Sequence, residues 1–374
     1  MRYRVGELVD SISKKCDFKT DKIIFLNTGD IEDGKIVNNN CYKISDLPGQ
    51  AKKKIKNGDI LFSEIRPKNK RYALVENIDE TNYVVSTKLM VLRNKDSKVL
   101  NMKYFYYFLT SPKMLRYLQS EAEARSGTFP QITFKDNIYP ITINLPSLAE
   151  QNKIVKNIDS IVNKIKNNQK INTNLEKIST EFFHNWLSNT HSDKKKSLDS
   201  IANYKNGLAM QKFRPINIKE SLPVVKIREL NQGHTDSNSD LCRKDIDESV
   251  QINTGDIIFS WSGTLLLDLW AGNEAGLNQH LFKVTSNDYP SWFIYEWTKY
   301  YLQEFQLIAK SKATTMGHIK RSNLKESFAI IPDDNEWIKL NNLLGHIFDN
   351  KIKIRKQNLI LRQIKNQLLA KLLN

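Results

Sequence analysis

The sequence predicts an α+β protein made of two similar halves, each a mixed globular segment followed by a long helix. An apolar pattern that begins at Pro146 recurs at Pro332, and the same shift of 186 residues relates all of its positions. The run Gly58-Asp59-Ile60-Leu61-Phe62-Ser63 likewise has a counterpart in Gly255-Asp256-Ile257-Ile258-Phe259-Ser260. We therefore expect globular segments at residues 1–146 and 198–332, long helices at residues 147–187 and 333–374, and a polar linker at residues 188–197.

The two long segments are predicted to be helices that pack against each other. Their apolar positions alternate between spacings of three and four residues, the period that aligns side chains on one face of a coiled-coil helix. If these faces meet, the short linker requires the second helix to run antiparallel to the first, which gives the chain pseudo-twofold symmetry. The shared positions are Ile154, Ile158, Ile161, Leu175, Phe182 and Trp186 in the first helix and Leu340, Leu344, Ile347, Leu361, Leu368 and Leu372 in the second.

Each long helix is predicted to begin at a capping box just after a proline. Ser147 and Glu150 form the first box, and Asp333 and Glu336 form the second. In such a box the two side chains accept hydrogen bonds from backbone N–H groups that have no partner within the helix. The two starts are therefore placed by the same signal.

Polar residues interrupt the apolar face of both helices. They are Asn168 and Asn172 in the first helix and Lys351 and Asn358 in the second. Buried polar residues at such positions can fix the register of two helices. Fraying of the helices, or entry of water, is the alternative at these positions.

The composition indicates a polyanionic partner and a reducing compartment. A formal charge of +16 and a pI near 9.5 point first to nucleic acid and second to a membrane surface. Part of this charge is expected from a genome low in G and C, which favours lysine codons. The cysteines Cys16, Cys41 and Cys242 form no Cys-x-x-Cys pair, and the N-terminus lacks the apolar core of a signal peptide. We expect a cytoplasmic protein.

The globular segments are predicted to combine short strands with aromatic helices. A Gly-Asp turn that leads into an apolar run, at Gly58 and again at Gly255, indicates a turn followed by a buried strand. Aromatic residues concentrate at residues 104–108 and 292–297. Such dense aromatic runs are more typical of a helix in the core than of a surface that stacks on bases.

The sequence lacks a recognisable catalytic centre, and we predict a non-catalytic chain with no cofactor and no metal. Residues 29–36 have the glycine and lysine spacing of a phosphate loop, but Ile36 stands where a hydroxyl would hold Mg²⁺. Asp333 and Asp349 would lie about 24 Å apart along one helix, too far to share a metal. The histidines are scattered without the spacing of metal ligands.

Recognition of DNA is the function that the remaining features favour. Loops that differ between two otherwise repeated domains are where related modules would read different targets. Basic and amide side chains in such loops can contact phosphates or base edges, although a solvated basic loop is the alternative for the basic residues and a structural histidine is the alternative for His280 and His318. The candidates are Lys14, Lys15, Arg66, Lys68, Lys70, Arg71, Lys88, Thr128 and Gln131 in the first half, and Trp261, Thr264, Asn278, Gln279, His280, His318, Lys320 and Arg321 in the second.

The chain resembles the specificity subunit of type I restriction-modification systems along essentially its whole length. Besides the duplicated design, the resemblance rests on Leu145-Pro146-Ser147-Leu148-Ala149-Glu150-Gln151, Gly58-Asp59-Ile60-Leu61-Phe62-Ser63, Leu277-Asn278-Gln279-His280-Leu281-Phe282 and Thr315-Met316-Gly317-His318-Ile319-Lys320-Arg321. It implies that the globular segments are two target-recognition domains. Each would read one half of a split, asymmetric site in double-stranded DNA.

The resemblance also implies protein partners. The helices would space the two domains and bind two modification (methyltransferase) subunits, which restriction subunits with translocase activity would then join. The candidates for partner binding are Leu148, Gln151, Ile154, Trp337 and Leu340. Two alternatives stay open: a self-contained DNA-modifying enzyme, which would transfer methyl groups without a partner, and a coiled-coil scaffold, which would bind regardless of DNA sequence.

Overall fold

A computed structural model describes residues 1–15, 21–236, 238–311 and 317–371 of the chain. The chain divides into two compact units. One comprises Met1–Asn163 together with the end of the chain from Gln363, and the other comprises Lys164–Arg362. Each unit thus contains one globular domain and a part of both long helices.

The first domain contains two four-stranded sheets. The strand order is Val9–Ser11, Leu89–Asn94, Ile60–Ser63, Tyr72–Leu74 in one sheet and Cys41–Lys43, Lys22–Leu26, Tyr83–Ser86, Ala51–Lys54 in the other. Smaller pairs join Arg2–Arg4 to Thr142–Asn144 and Ile31–Glu32 to Lys35–Ile36. The helices are Val5–Leu8, Met102–Leu109 and Pro112–Arg125, with a π-helical turn at Phe134–Ile138 and 3-10 turns at Thr28–Asp30, Ile44–Asp46, Pro67–Asn69 and Glu80–Asn82.

The second domain also contains two four-stranded sheets. Their strand orders are Asn203–Asn206, Leu281–Thr285, Ile257–Ser260, Leu267–Leu269 and Leu241–Arg243, Ser221–Val225, Ala275–Leu277, Gln251–Ile252. A further pair joins Lys195–Ser197 to Phe328–Ile330. The helices are Leu198–Ile201, Ile227–Gln232, Ser291–Tyr300, Leu302–Ser311 and Arg321–Glu326, with 3-10 turns at Met210–Lys212, Ile218–Glu220 and Glu248–Val250.

The two domains share one topology. In each first sheet the strand after the Gly-Asp turn pairs antiparallel with a later strand, so that Ser63 opposes Leu89 and Ser260 opposes Leu281. Each second sheet contains one parallel pair, between Tyr83–Ser86 and Lys22–Leu26 or between Ala275–Leu277 and Ser221–Val225. The prediction of two similar mixed domains is confirmed.

The Gly-Asp turns have the same geometry in both domains. Gly58 and Gly255 have φ angles of 90° and 105°, a region that residues with a Cβ rarely adopt. The carboxylate of Asp59 accepts a hydrogen bond from the backbone N–H of Lys56 at 2.7 Å, and Asp256 accepts one from Asn253 at 2.8 Å. Every residue of the following strand is buried in both cases, as predicted.

The aromatic helices lie in the cores of their domains. Tyr104 and Phe105 on Met102–Leu109 are almost fully buried, and so are Phe293 and Trp297 on Ser291–Tyr300. These side chains belong to the largest apolar cluster of each domain. The interpretation of these runs as core helices is therefore confirmed.

The long helices begin at the predicted capping boxes. The first spans Leu148–Asn189, and Ser147 and Glu150 exchange hydrogen bonds at its start. The second starts after Asp333 as Asp334–Leu340, passes through a π-helical turn at Asn341–Gly345 and continues as His346–Lys371. Within the predicted linker the strand Lys195–Ser197 is already part of a sheet, and the predicted apolar position Leu372 lies outside the described residues. Among the described helices, none combines the length and apolar character needed to cross a bilayer.

One predicted apolar position of the first helix is wrong. Phe182 is 46% exposed, whereas its neighbour Phe183 is 1% exposed and packs in the core of the second domain. The buried face reaches Phe183 from the buried Ser179, four residues earlier. A helix has 3.6 residues per turn, and an apolar pattern read at 3.5 drifts by one position over several turns.

Buried polar contacts join the two long helices within Lys164–Arg362. The side-chain amide of Asn168 donates to the side-chain oxygens of Asn358 and Gln357, both at 2.8 Å. Eight residues later, the carboxylate of Glu176 accepts hydrogen bonds from Lys351 and from Lys299 of the second domain. In this part of the chain the helices therefore run antiparallel. Their buried polar residues form hydrogen bonds with other residues of the same chain, which fixes the register of the two helices.

Candidate nucleic-acid interface

In the first domain two predicted DNA-contacting loops are joined by a short antiparallel bridge. Ile65 pairs with Gln131 across the bridge. The backbone N–H of Arg66 donates to the carbonyl of Pro130 at 3.1 Å, and that of Ile132 donates to Glu64 at 2.9 Å. Arg66 and Gln131 are thereby held side by side at the end of the strand Ile60–Ser63.

The second domain repeats this bridge with different residues. Ser262 pairs with His318. The backbone N–H of Gly263 donates to Gly317 at 2.9 Å, and that of Ile319 donates to Trp261 at 3.1 Å. The backbone frame is thus the same in both domains, while the side chains that it presents differ.

Around the first bridge the structure gathers five of the predicted residues: Arg66, Lys68, Lys88, Thr128 and Gln131. The guanidinium of Arg66 donates to the carbonyl of Thr128 at 3.4 Å, and the carbonyl of Lys88 accepts from the backbone N–H of Glu64 at 3.1 Å. Lys68 lies 3.5 Å from the carboxylate of Glu123. Arg66, Lys68, Lys88 and Thr128 are exposed, and Gln131 is half-buried.

A line of lysines extends from this cluster along the second sheet. Lys15 pairs with Lys53, whose ammonium donates to the carbonyls of Thr87 and Leu89 at 3.0 and 2.8 Å. Burial lowers the pKa of Lys53, Glu64 opposes this shift and Lys88 adds to it. Lys14 and Lys15 are exposed at this edge, and the backbone N–H of Lys54 donates to the carbonyl of Lys14. Lys53 was not among the predicted residues, because only the sheet pairing brings it here.

Arg71 and Lys70 serve the fold of the first domain. The guanidinium of Arg71 donates to the carbonyls of Gly29 and Ile31 at 3.2 and 3.0 Å. Lys70 ends a 3-10 turn with a left-handed φ of 54°, and its carbonyl accepts from Asp33. Arg71 therefore has less freedom to reach DNA than Arg66.

In the second domain an aromatic and amide cluster surrounds the bridge. The ring of Trp261 lies 6.2 Å from that of His280 and 6.3 Å from that of His318, and its N–H donates to the carbonyl of Gln279. The side chain of Asn278 accepts from the backbone N–H of His280 and donates to the side-chain oxygen of Gln279 at 3.0 Å. Five predicted residues thus lie together, and hydrogen bonds orient the amide groups.

A cleft of about 560 Å³ opens beside this cluster. Arg214 and Lys226 line it together with Gln279 and His280. Sequence reasoning missed Arg214 and Lys226, because they precede Asn278 by more than fifty residues along the chain. Both are exposed, and Lys226 forms an ion pair with Asp240, which also lines the cleft, so Arg214 supplies the positive charge next to the ordered amides.

The remaining predicted residues of the second domain are Arg321, Thr264 and Lys320. Arg321 donates to the carbonyl of Tyr204 at 3.1 Å and stacks over the ring of Phe282, which ties its guanidinium to the core. Thr264 and Lys320 are exposed. Within the described residues no group of acidic, histidine and cysteine side chains could hold a metal ion.

The residues predicted to bind a partner lie mostly inside the protein. Gln151 has 0% exposure, accepts a hydrogen bond from the backbone N–H of Asn101 and donates to the carbonyls of Val99 and Pro146. Leu340 is buried, and Ile154 and Trp337 pack against the domain cores. Leu148 is half-buried. Gln151 and Leu340 therefore support the fold and offer almost no surface to a partner.

A different set of apolar residues is exposed on the first long helix. Ile171, Ile178 and Phe182 are 44%, 41% and 46% exposed. Their spacings of seven and four residues place them on one face of the helix. We call these three residues the exposed row. The sequence pattern correctly placed Phe182 on the long helix, but it predicted the packed face, whereas the side chain lies on the exposed face.

Comparison with known proteins agrees with this architecture. Residues 1–177 match the family described as "Type I restriction modification DNA specificity domain". The chain is 43% identical over 186 residues to the type I restriction enzyme HindI specificity subunit of Haemophilus influenzae. This alignment covers 50% of this chain and 40% of that protein. It is 27% identical over 304 residues to the type I restriction enzyme MjaIX specificity subunit of Methanocaldococcus jannaschii, covering 72% and 68%.

The fold is similar to a solved structure of the same kind. The S subunit of a type I restriction-modification system from M. genitalium aligns over 100% of this chain and 96% of that one, with a TM-score of 0.50 and 17% sequence identity. This likeness concerns the fold alone. The resemblance inferred from the sequence is nevertheless confirmed, since the family match and the curated relatives agree on it. Residues 1–177 match the type I restriction modification DNA specificity domain family, and the chain is a relative of the specificity subunits of type I restriction-modification systems.

Proposed function

We propose that the chain is the non-catalytic DNA-recognition subunit of a type I restriction-modification complex. The observation that carries this proposal is the repeated loop bridge, which presents Arg66 and Gln131 in one domain and Trp261 and His318 in the other. One frame with two sets of side chains suits a protein that reads two different half-sites. Action on cellular DNA would place the chain in the cytoplasm.

The side chains at both bridges have the chemistry of base and phosphate contacts. Arginine donates to guanine, and glutamine and asparagine pair with adenine through their amide groups. The exposed lysines Lys14, Lys15 and Lys88 can position the duplex through its phosphates. The net charge of +16 favours association with a polyanion in addition to these contacts.

The long helices offer a surface for the modification (methyltransferase) subunits. An exposed aliphatic and aromatic row on a charged helix is unusual for a surface that stays in water. Interfaces between proteins are enriched in such side chains. The exposed row is therefore the site at which we expect a modification subunit to dock. Restriction subunits would then join the complex by binding to the modification subunits.

Selection from a random library of DNA duplexes tests this function. The purified chain, alone and together with a type I modification subunit from the same cells, is incubated with the library, and bound duplexes are sequenced. We expect two short conserved blocks separated by a gap of constant length and variable sequence. The chain alone should transfer no methyl group from a labelled donor. Absence of any enriched sequence in both samples would contradict recognition, and methyl transfer by the chain alone would show an enzyme.

A further inference from the structure

Arg66 has a backbone conformation that glycine adopts at the equivalent position of the second domain. Its φ and ψ angles are 45° and 75°, in the left-handed region. Gly263, which occupies the same place in the second bridge, has a φ of 71°. Both residues donate their backbone N–H to the opposite loop, Arg66 to Pro130 and Gly263 to Gly317. The frame thus requires a left-handed residue here, and only the second domain uses the residue suited to it.

In the first domain this position is occupied by an arginine, although the conformation favours glycine. A side chain at positive φ brings Cβ close to the backbone, a strain that glycine avoids. Pro67 follows directly, and a residue before proline favours extended backbone. Arg66 therefore departs from two local preferences at once. Residues held in such conformations are frequently found at functional sites.

The side chain of Arg66 does little for the fold. It is exposed, and among the described residues its guanidinium makes a single hydrogen bond, the long 3.4 Å contact with the carbonyl of Thr128. Arg71, by contrast, is held by two shorter bonds, and Arg93 forms a two-pronged ion pair with Asp59. The side chain of Arg66 therefore does not offset the backbone strain through strong contacts within the described chain.

We propose that Arg66 is a specificity-determining residue that reads a guanine in the half-site of the first domain. Its guanidinium would donate to both O6 and N7 in the major groove, the arrangement for which arginine is suited. The bridge fixes where the side chain leaves the backbone. A base edge demands such a fixed position, whereas a phosphate is reached equally well by the flexible lysines nearby. This inference rests on the proposed function.

The variant Arg66→Gly separates strain from recognition. Its melting temperature should rise by about 2–4 °C, because glycine removes the steric penalty at this position. In the selection described above, one position of one block should lose its preference for guanine, with discrimination there falling by about 10- to 100-fold. Arg66→Lys keeps the charge and the strain, and we expect the same loss of discrimination with a melting temperature close to that of the wild type.

A matched control is Asn77→Gly. Asn77 is exposed and has a φ of 57° in the same domain, so glycine relieves the same kind of backbone there. Its consensus should equal that of the wild type.

The outcomes separate the two proposals. If the wild type selects no sequence, the proposed function fails, whatever Arg66 does. If the wild type selects two blocks and Arg66→Gly selects the same ones, the assignment of Arg66 is overturned. It is also overturned if Arg66→Lys keeps the preference for guanine, since charge alone would then suffice, or if Arg66→Gly is less stable than the wild type.

Discussion

Replacing Glu176 with glutamine is expected to lower the unfolding free energy of the unit Lys164–Arg362 by about 3 kcal/mol. The carboxylate of Glu176 accepts hydrogen bonds from Lys351 and Lys299, and Lys351 is 1% exposed. The variant leaves this buried ammonium without its anion, a change that usually costs about 3–5 kcal/mol. The lower end applies because the carboxylate of Glu296 still interacts with Lys351 and lies 3.7 Å from Lys299.

Tryptophan fluorescence during urea unfolding measures this effect selectively. All six tryptophans lie between residues 186 and 337, inside this unit: Trp186, Trp261, Trp270, Trp292, Trp297 and Trp337. The double variant Glu176→Gln/Lys351→Met removes both charges and should recover most of the loss. An unfolding midpoint of Glu176→Gln equal to that of the wild type would show that this contact does not stabilise the helices.

The same carboxylate should make the stability of this unit depend on pH. Burial alone would raise the pKa of Glu176, but Lys351 and Lys299 outweigh burial and hold it below its ordinary value of 4.5. The stabilisation from this lowered pKa is therefore present above pH 4.5 and is lost as the pH falls through the folded-state value. Glu176→Gln should remove this part of the pH dependence in the same fluorescence measurement.

Introducing lysine at both Ile178 and Phe182 should weaken binding of the modification subunit by at least about 100-fold, while the chain stays folded. Exposed side chains contribute little to stability, whereas aromatic and aliphatic anchors in an interface can each contribute about 2 kcal/mol or more. A charge on the exposed row would be desolvated without a partner. Sedimentation of the chain with the purified modification subunit measures the affinity.

The matched control for this variant is Leu307→Lys. Leu307 is 63% exposed on the helix Leu302–Ser311 and is not part of the exposed row. It should bind the modification subunit as the wild type does. Equal binding by the double variant and the control would mean that the exposed row is not the docking surface.

Local signals in the sequence predicted the elements that depend on local physics. The Gly-Asp turns were found because glycine at positive φ and a carboxylate that caps the turn are a short-range pattern. The capping boxes at Ser147 and Asp333 were found for the same reason. The internal repeat extended these predictions to both domains.

Features that depend on distant contacts were not predictable in the same way. Gln151 looked like part of a surface motif, but its hydrogen-bond partners Val99 and Asn101 lie some fifty residues earlier. Lys53 pairs with Lys15 only through the sheet, and Arg214 reaches the cleft of the second domain through the fold. The left-handed backbone of Arg66 has no sequence signal, since an arginine there argues against it.

The most direct test of the account is whether each domain reads its own half of the site. Two variants, Gln131→Ala in the first domain and Gln279→Ala in the second, are carried through the same selection from random duplexes as the wild type. We predict that each variant relaxes a different block and leaves the other block and the gap unchanged. Relaxation of the same block by both variants would contradict the claim that the two domains recognise separate half-sites.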